Sequence, residues 1–129
     1  MKAEEELLRI NGITRKIIGC AIEVHRELGP SLREATYQRA MAIKFGSIGL
    51  AYAEQVSLPA VYKEGTIGSY RLDFLVEDSV VLEIKSVGQL DPLFQAQILA
   101  YLRIAQKKVG LLINFSAPLL RDGLRRFIL

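Results

Sequence analysis

The run Val80-Val81-Leu82-Glu83-Ile84-Lys85 constrains this 129-residue chain more than any other stretch. It is apolar and β-branched enough for a central strand, yet it sets a carboxylate and an ammonium at i and i+2, on one face. Ionised groups taken out of water cost several kcal/mol unless they are paired or bound to a metal. A fold that buries this strand must therefore give its charges partners. A further acid, Asp73, lies in the preceding run Tyr70 to Val76, and Glu77-Asp78-Ser79 reads as the hairpin turn between the two. With that turn centred on Asp78, Asp73 falls directly opposite Glu83, about 5 Å apart at the β-carbons. A slip of one residue would send one acid to the other face.

Two readings of this group stay open on spacing alone. One is a buried ion pair of Lys85 with Glu83 or Asp73. The other is an oxygen-rich site for a hard divalent cation, magnesium or manganese, which takes one or two protein carboxylates and fills its shell with water and substrate phosphate. A metal so held polarises a phosphodiester and lowers the pKa of a water, while Lys85 positions that water or offsets developing charge. The second reading predicts phosphodiester hydrolysis.

Around this centre the hydrophobic period organises the chain. Ile10, Ile13, Ile17, Ala21, Val24 and Leu28 form one helical stripe, stopped by Gly29-Pro30. Ser31-Leu32-Arg33-Glu34 has the form of a capping box and opens a second helix running to about Phe45. After Gly46 to Gly49 the pattern changes to strands, at Glu54 to Val61, Gly68 to Val76 and Val80 to Lys85. Asp91-Pro92 starts a third helix through Ile104, and Val109 to Asn114 suits a strand buried on both faces. A helical turn beyond Pro118 and a terminal strand at Arg125 to Leu129 complete the expectation. The order α-α-β-β-β-α-β lets the third and fourth strands lie parallel through a right-handed crossover.

Bulk properties bound the function. The length and an apolar fraction of 50% predict a single domain spanning residues 1–129. One cysteine, Cys20, excludes an intramolecular disulfide, and no Cys/His cluster offers a zinc site. The acidic start Glu4-Glu5-Glu6 lacks the pattern of a signal peptide, and no stretch has the length of a membrane span, so a cytoplasmic protein without membrane contact is expected. A net charge of +3 permits anionic partners, with basic residues gathered at Lys107-Lys108 and Arg121 to Arg126, for which a solvated face is the favoured reading.

Asp73 followed by Glu83-Ile84-Lys85 resembles the D…(E/D)-x-K signature of the PD-(D/E)XK nuclease superfamily. The resemblance implies an α/β (α+β) fold with a restriction-endonuclease-like α-β-β-β-α-β core, a mixed central sheet flanked by helices, and here an extra N-terminal helix. Gln97-Ile98-Leu99-Ala100-Tyr101 is similar to the Q-x-x-x-Y motif of helicase-linked members. From about Asn11 onward the chain also resembles the bacterial GxxExxY proteins, through Ile17 to Pro30, Glu34-Ala35-Thr36-Tyr37, Glu54-Gln55-Val56 and Gly110 to Phe115. Ser31 stands where the naming motif has glycine, and Leu72 where the superfamily has the proline before its aspartate.

The resemblance implies a metal-dependent nuclease acting on nucleic acid, DNA first, with Mg2+ or Mn2+ as cofactor. Asp73 and Glu83 would hold the metal with the Ile84 carbonyl, and Lys85 would assist the water. Glu34 would help bind metal or water, or serve the capping box, or both. Gln97 and Tyr101 would reach the site or the nucleic acid, or be a tolerated polar residue and a core residue. His25 would be a metal ligand in the helicase-linked manner, or pack at the helix end; packing is the favoured reading. Tyr37 is read as core or site wall. The competing function is a catalytically silent module that keeps the fold to bind nucleic acid or a protein partner. A homodimer is among the expectations, because a domain this small often needs a second copy to grip a duplex.

Overall fold

A computed structural model describes residues 2–129. Five strands form one mixed sheet in the order β1-β2-β3-β4-β5: β1 Tyr52–Tyr62, β2 Gly65–Val76, β3 Val80–Lys85, β4 Val109–Asn114 and β5 Leu124–Ile128. Helices α1 (Ala3–Leu28) and α2 (Glu34–Ser47) cover one face, and α3 (Pro92–Ala105) covers the other. A short 3-10 turn, Leu120–Gly123, leads into β5. This is the α-β-β-β-α-β core with the extra N-terminal helix that the resemblance implies.

The elements follow from local chemistry. Asp91 caps α3 by accepting the Leu93 amide at 2.8 Å, with Pro92 preorganised in the first turn. Gly29 ends α1 in a conformation of φ 73° that costs glycine little. α1 begins seven residues before the predicted stripe, because Glu4, Glu5 and Glu6 favour the positive end of the helix and Glu6 pairs with Arg9 at 2.9 Å. Leu7 and Leu8 are exposed, so that first part carries no stripe to read.

The capping box does not form. α2 starts at Glu34 itself, with Arg33 in the cap position and no side-chain cap. Ser31 holds φ 73°, a left-handed backbone that cannot serve as an N-cap, whose conformation is extended. The loop is fixed from outside: the buried Tyr37 hydroxyl donates to the Gly29 carbonyl and accepts the Leu32 amide at 3.2 Å, and Ser86 Oγ donates to the Leu32 carbonyl.

Two cores sandwich the sheet. The larger joins Ile13, Ile17 and Val24 of α1 and Tyr37, Met41 and Phe45 of α2 to Phe74, Leu82, Ile84 and Ile113. Burial of each such side chain is worth roughly 1.5–3 kcal/mol. Tyr37 stacks on Phe115 at 4.4 Å and Phe45 meets Phe74 edge-on at 5.3 Å. The smaller core joins Ile98, Tyr101 and Leu102 of α3 to Leu58, Leu72, Val81 and Leu112. β3 and β4 are parallel, in register from Val80↔Val109 to Lys85↔Asn114, which puts the C-terminal ends of both strands at one end of the sheet.

The hairpin of β1 and β2 serves both cores. Phe74 and Val76 face α1 and α2, while Leu72 packs with α3. The change of face falls at Asp73, where the ladder with β1 skips one pair: Glu54↔Phe74 and Val56↔Leu72 are joined, and Gln55 between them turns left-handed at φ 50°. The irregularity is a local twist of the kind that re-aims side chains near functional sites.

Candidate active site

The β2–β3 register is the one that the turn at Asp78 predicts: Val76↔Val80, Leu75↔Val81 and Phe74↔Leu82 are paired. There the ladder stops. In place of further backbone pairing, the two strands exchange carboxylate-to-amide bonds. Asp73 N–H donates to Glu83 Oε2 at 2.8 Å, and Ile84 N–H donates to Asp73 Oδ2 at 2.8 Å. Both acids therefore converge between the strands. Glu83 is 6% exposed and Asp73 is half-buried.

No cation partners them at close range. The ion pairs among the described residues are Arg9–Glu6, Lys44–Glu23 and Lys107–Asp78, none of which touches either acid. The buried ion pair with Lys85 is thus not what forms. Lys85 Nζ lies 4.5 Å from the centroid of the Phe94 ring, a cation–π contact that holds the ammonium on the α3 side, and from there its charge favours ionisation of both acids. That help is outweighed. Burial, then the neighbouring Asp73 charge, pushes the Glu83 carboxyl up to about 8, and burial raises Asp73 as well. Burial thus holds both carboxyls above the ordinary carboxylate range, and the charge of Asp73 makes Glu83 the harder to ionise.

Other predicted residues gather at the same end. Glu34 opens α2 on the surface, and its charge raises both acids further. Tyr101 is buried; burial first, then the charges of Glu83 and Asp73, raise its hydroxyl pKa. Gln97 is half-buried one turn earlier on the same helix. The Ile84 carbonyl shares the direction of its N–H, because both point to the same edge in an extended strand, and so faces the gap beyond the end of the ladder.

His25 stands in the last turn of α1. Its Nε2 is 2.8 Å from the Ala117 carbonyl and its ring lies against Phe115, 6.4 Å between centroids. Both contacts fit the favoured reading, packing at the end of α1, although a ring that donates from one nitrogen keeps the other for a cation. Among the described residues no three His, Cys, Asp or Glu side chains form a metal-holding cluster, so the acids stand as a pair. A pair of hard oxygen donors with mutual repulsion and an adjacent carbonyl fits a magnesium-like ion, which keeps several waters.

Three supporting residues were given no role of their own from the sequence. Ser86, next to Lys85, bonds the Leu32 carbonyl and faces Ser116 Oγ at 2.9 Å, tying the α1–α2 loop to the end of β3. Asn114 accepts the Val87 amide at 3.0 Å and donates to the Val87 carbonyl at 2.9 Å, fixing the chain beyond Ser86. Gln55 marks the twist that aims Asp73. A polar residue ending the apolar β4 run was the one available hint, at Asn114.

A family model of the PD-(D/E)XK nuclease superfamily matches residues 11–127, nearly the whole chain. No curated protein matches it. The chain belongs to the PD-(D/E)XK nuclease superfamily, whose members are usually nucleases that use divalent metal ions.

Proposed function

We propose that this superfamily member hydrolyses phosphodiester bonds in nucleic acid, DNA first, with magnesium or manganese as cofactor. The observation that carries the reading is the pair Asp73 and Glu83: two converging carboxylates, one half-buried and one buried, with no cation partner within ion-pair distance among the described residues. Such a pair raises the free energy of the fold unless something positive lies against it. When bound, the metal would polarise the phosphoryl group and make water a stronger nucleophile.

The chain's own groups take the remaining roles. Asp73, Glu83 and the Ile84 carbonyl would present oxygens from two strands. Lys85, held over Phe94 rather than drawn onto the acids, keeps its ammonium free to orient the attacking water or to balance charge in the transition state. Glu34 would accept a hydrogen bond from water at the open side, and Gln97 and Tyr101 would position the phosphodiester from α3. The finer kinship is with the GxxExxY proteins. The left-handed backbone at Ser31 is the conformation that glycine adopts freely, which supports reading Ser31, Glu34 and Tyr37 as that motif.

The test is metal-dependent cleavage of labelled DNA and RNA by the wild type beside Asp73→Asn, Glu83→Gln and Lys85→Ala. Cutting that needs Mg2+ or Mn2+ and falls by about 100-fold or more in each variant is expected, the scale on which charge-stabilising groups act. Nucleic-acid binding without cutting by any form would replace the nuclease with a silent binding module.

A further inference from the structure

Tyr70 lies on the α3 side of β2, three residues and about 10 Å along the strand from Asp73. Its ring centroid is 5.8 Å from that of Tyr101, and yet the residue remains 46% exposed. Beneath it is Gly68, two positions back on the same face. A β-carbon at Gly68 would sit 3.5 Å from Tyr70 Cε2 and 3.7 Å from its hydroxyl oxygen. The ring therefore lies back along the strand over Gly68, within van der Waals reach of it.

This ring is linked to the acids. Tyr101, its neighbour, is close enough to Glu83 and Asp73 to feel their charges. β3 pairs with β2 only from Phe74 to Val76, so no strand covers β2 on its inner side at Tyr70.

We propose that Tyr70 is a stacking platform for an unpaired nucleobase flanking the scissile phosphate, and that it gives the enzyme a preference for single strands. The inference rests on the nuclease reading above. Every base has a π face, so an exposed aromatic ring binds unpaired nucleotides with little regard to sequence. In a duplex both faces of each base are already stacked, and the platform is of no use to it.

The experiment compares kcat/KM on a single strand of about 12 nucleotides and on its blunt duplex for wild type, Tyr70→Phe and Tyr70→Ala, a length within the span that stacking proteins grip. Tyr70→Ala should lower the single-strand value about 5- to 150-fold and the duplex value by far less, the loss expected for one base stack. Tyr70→Phe, which keeps the ring, should restore the preference. A purely structural role would lower both substrates alike, and a common factor, or an unchanged ratio, overturns the platform while leaving the nuclease reading intact. If wild type cuts neither substrate with any divalent metal, the nuclease reading falls and the platform falls with it.

Discussion

Replacing Glu83 with glutamine should make the metal-free protein more stable at pH 8, and the gain should vanish near pH 5. Glu83 titrates near 8 in the fold against an ordinary value of 4.5. A carboxyl whose pKa is raised by folding binds its proton more tightly in the native state. Its ionisation therefore costs stability as pH climbs from about 4.5 to 8, at up to about 1.4 kcal/mol per pH unit. By pH 8 the accumulated cost is a few kcal/mol, part of it repulsion from Asp73. Glu83→Gln removes the charge and keeps an oxygen that can accept the Asp73 amide. Urea denaturation with a chelator at pH 5, 6, 7 and 8 measures the difference directly, and subtracting the variant cancels the titrating groups that do not interact with Glu83, leaving the contribution of the Glu83–Asp73 pair. Adding Mg2+ at pH 8 should stabilise wild type by about 2.7 kcal/mol at a hundred times its dissociation constant, and the variant by much less. Parallel stability profiles for the two proteins, or a wild type that gains on the variant as pH rises, would refute the picture of two crowded, unpaired acids.

Two further substitutions test the frame around the site. Ser31→Gly should raise stability by about 0.5–1 kcal/mol in thermal unfolding, since a left-handed backbone costs an L-residue roughly 1–2 kcal/mol and glycine's extra entropy takes back roughly 0.5–1. Gly123→Ala should destabilise by about 1–3 kcal/mol in the same assay, because its β-carbon would fall 2.3 Å from the Asn114 carbonyl oxygen, where only backbone can give way.

Much of this arrangement was legible because short-range chemistry and tertiary structure agree. The turn at Glu77 to Ser79 set the β2–β3 register, and the apolar run of β4 called for burial on both faces. Misreadings occurred where tertiary contacts overrule a local pattern. Ser31 to Glu34 has the residues of a capping box, but Tyr37 and Ser86 hold the loop in a conformation that the box excludes. The even-numbered residues Tyr52, Val56 and Leu58 of β1 would share one face of a regular strand. Tyr52 packs on Phe45 and Phe74 while Leu58 joins α3, since the left-handed Gln55 switches sides between them. Nothing in a period of two announces such a switch. The pair of acids was readable, whereas the place of Lys85 over Phe94 depended on where α3 lands.

The bonds by which Asp73 and Glu83 capture amides of the opposite strand make these acids mechanical fasteners as well as chemical groups. Shortening either to alanine unhooks two strands and strands a backbone donor at the same moment, so an inactive alanine variant is ambiguous between lost chemistry and lost architecture. Isosteric amides cut only one of those threads, and on this scaffold they are the substitutions whose effects can be assigned.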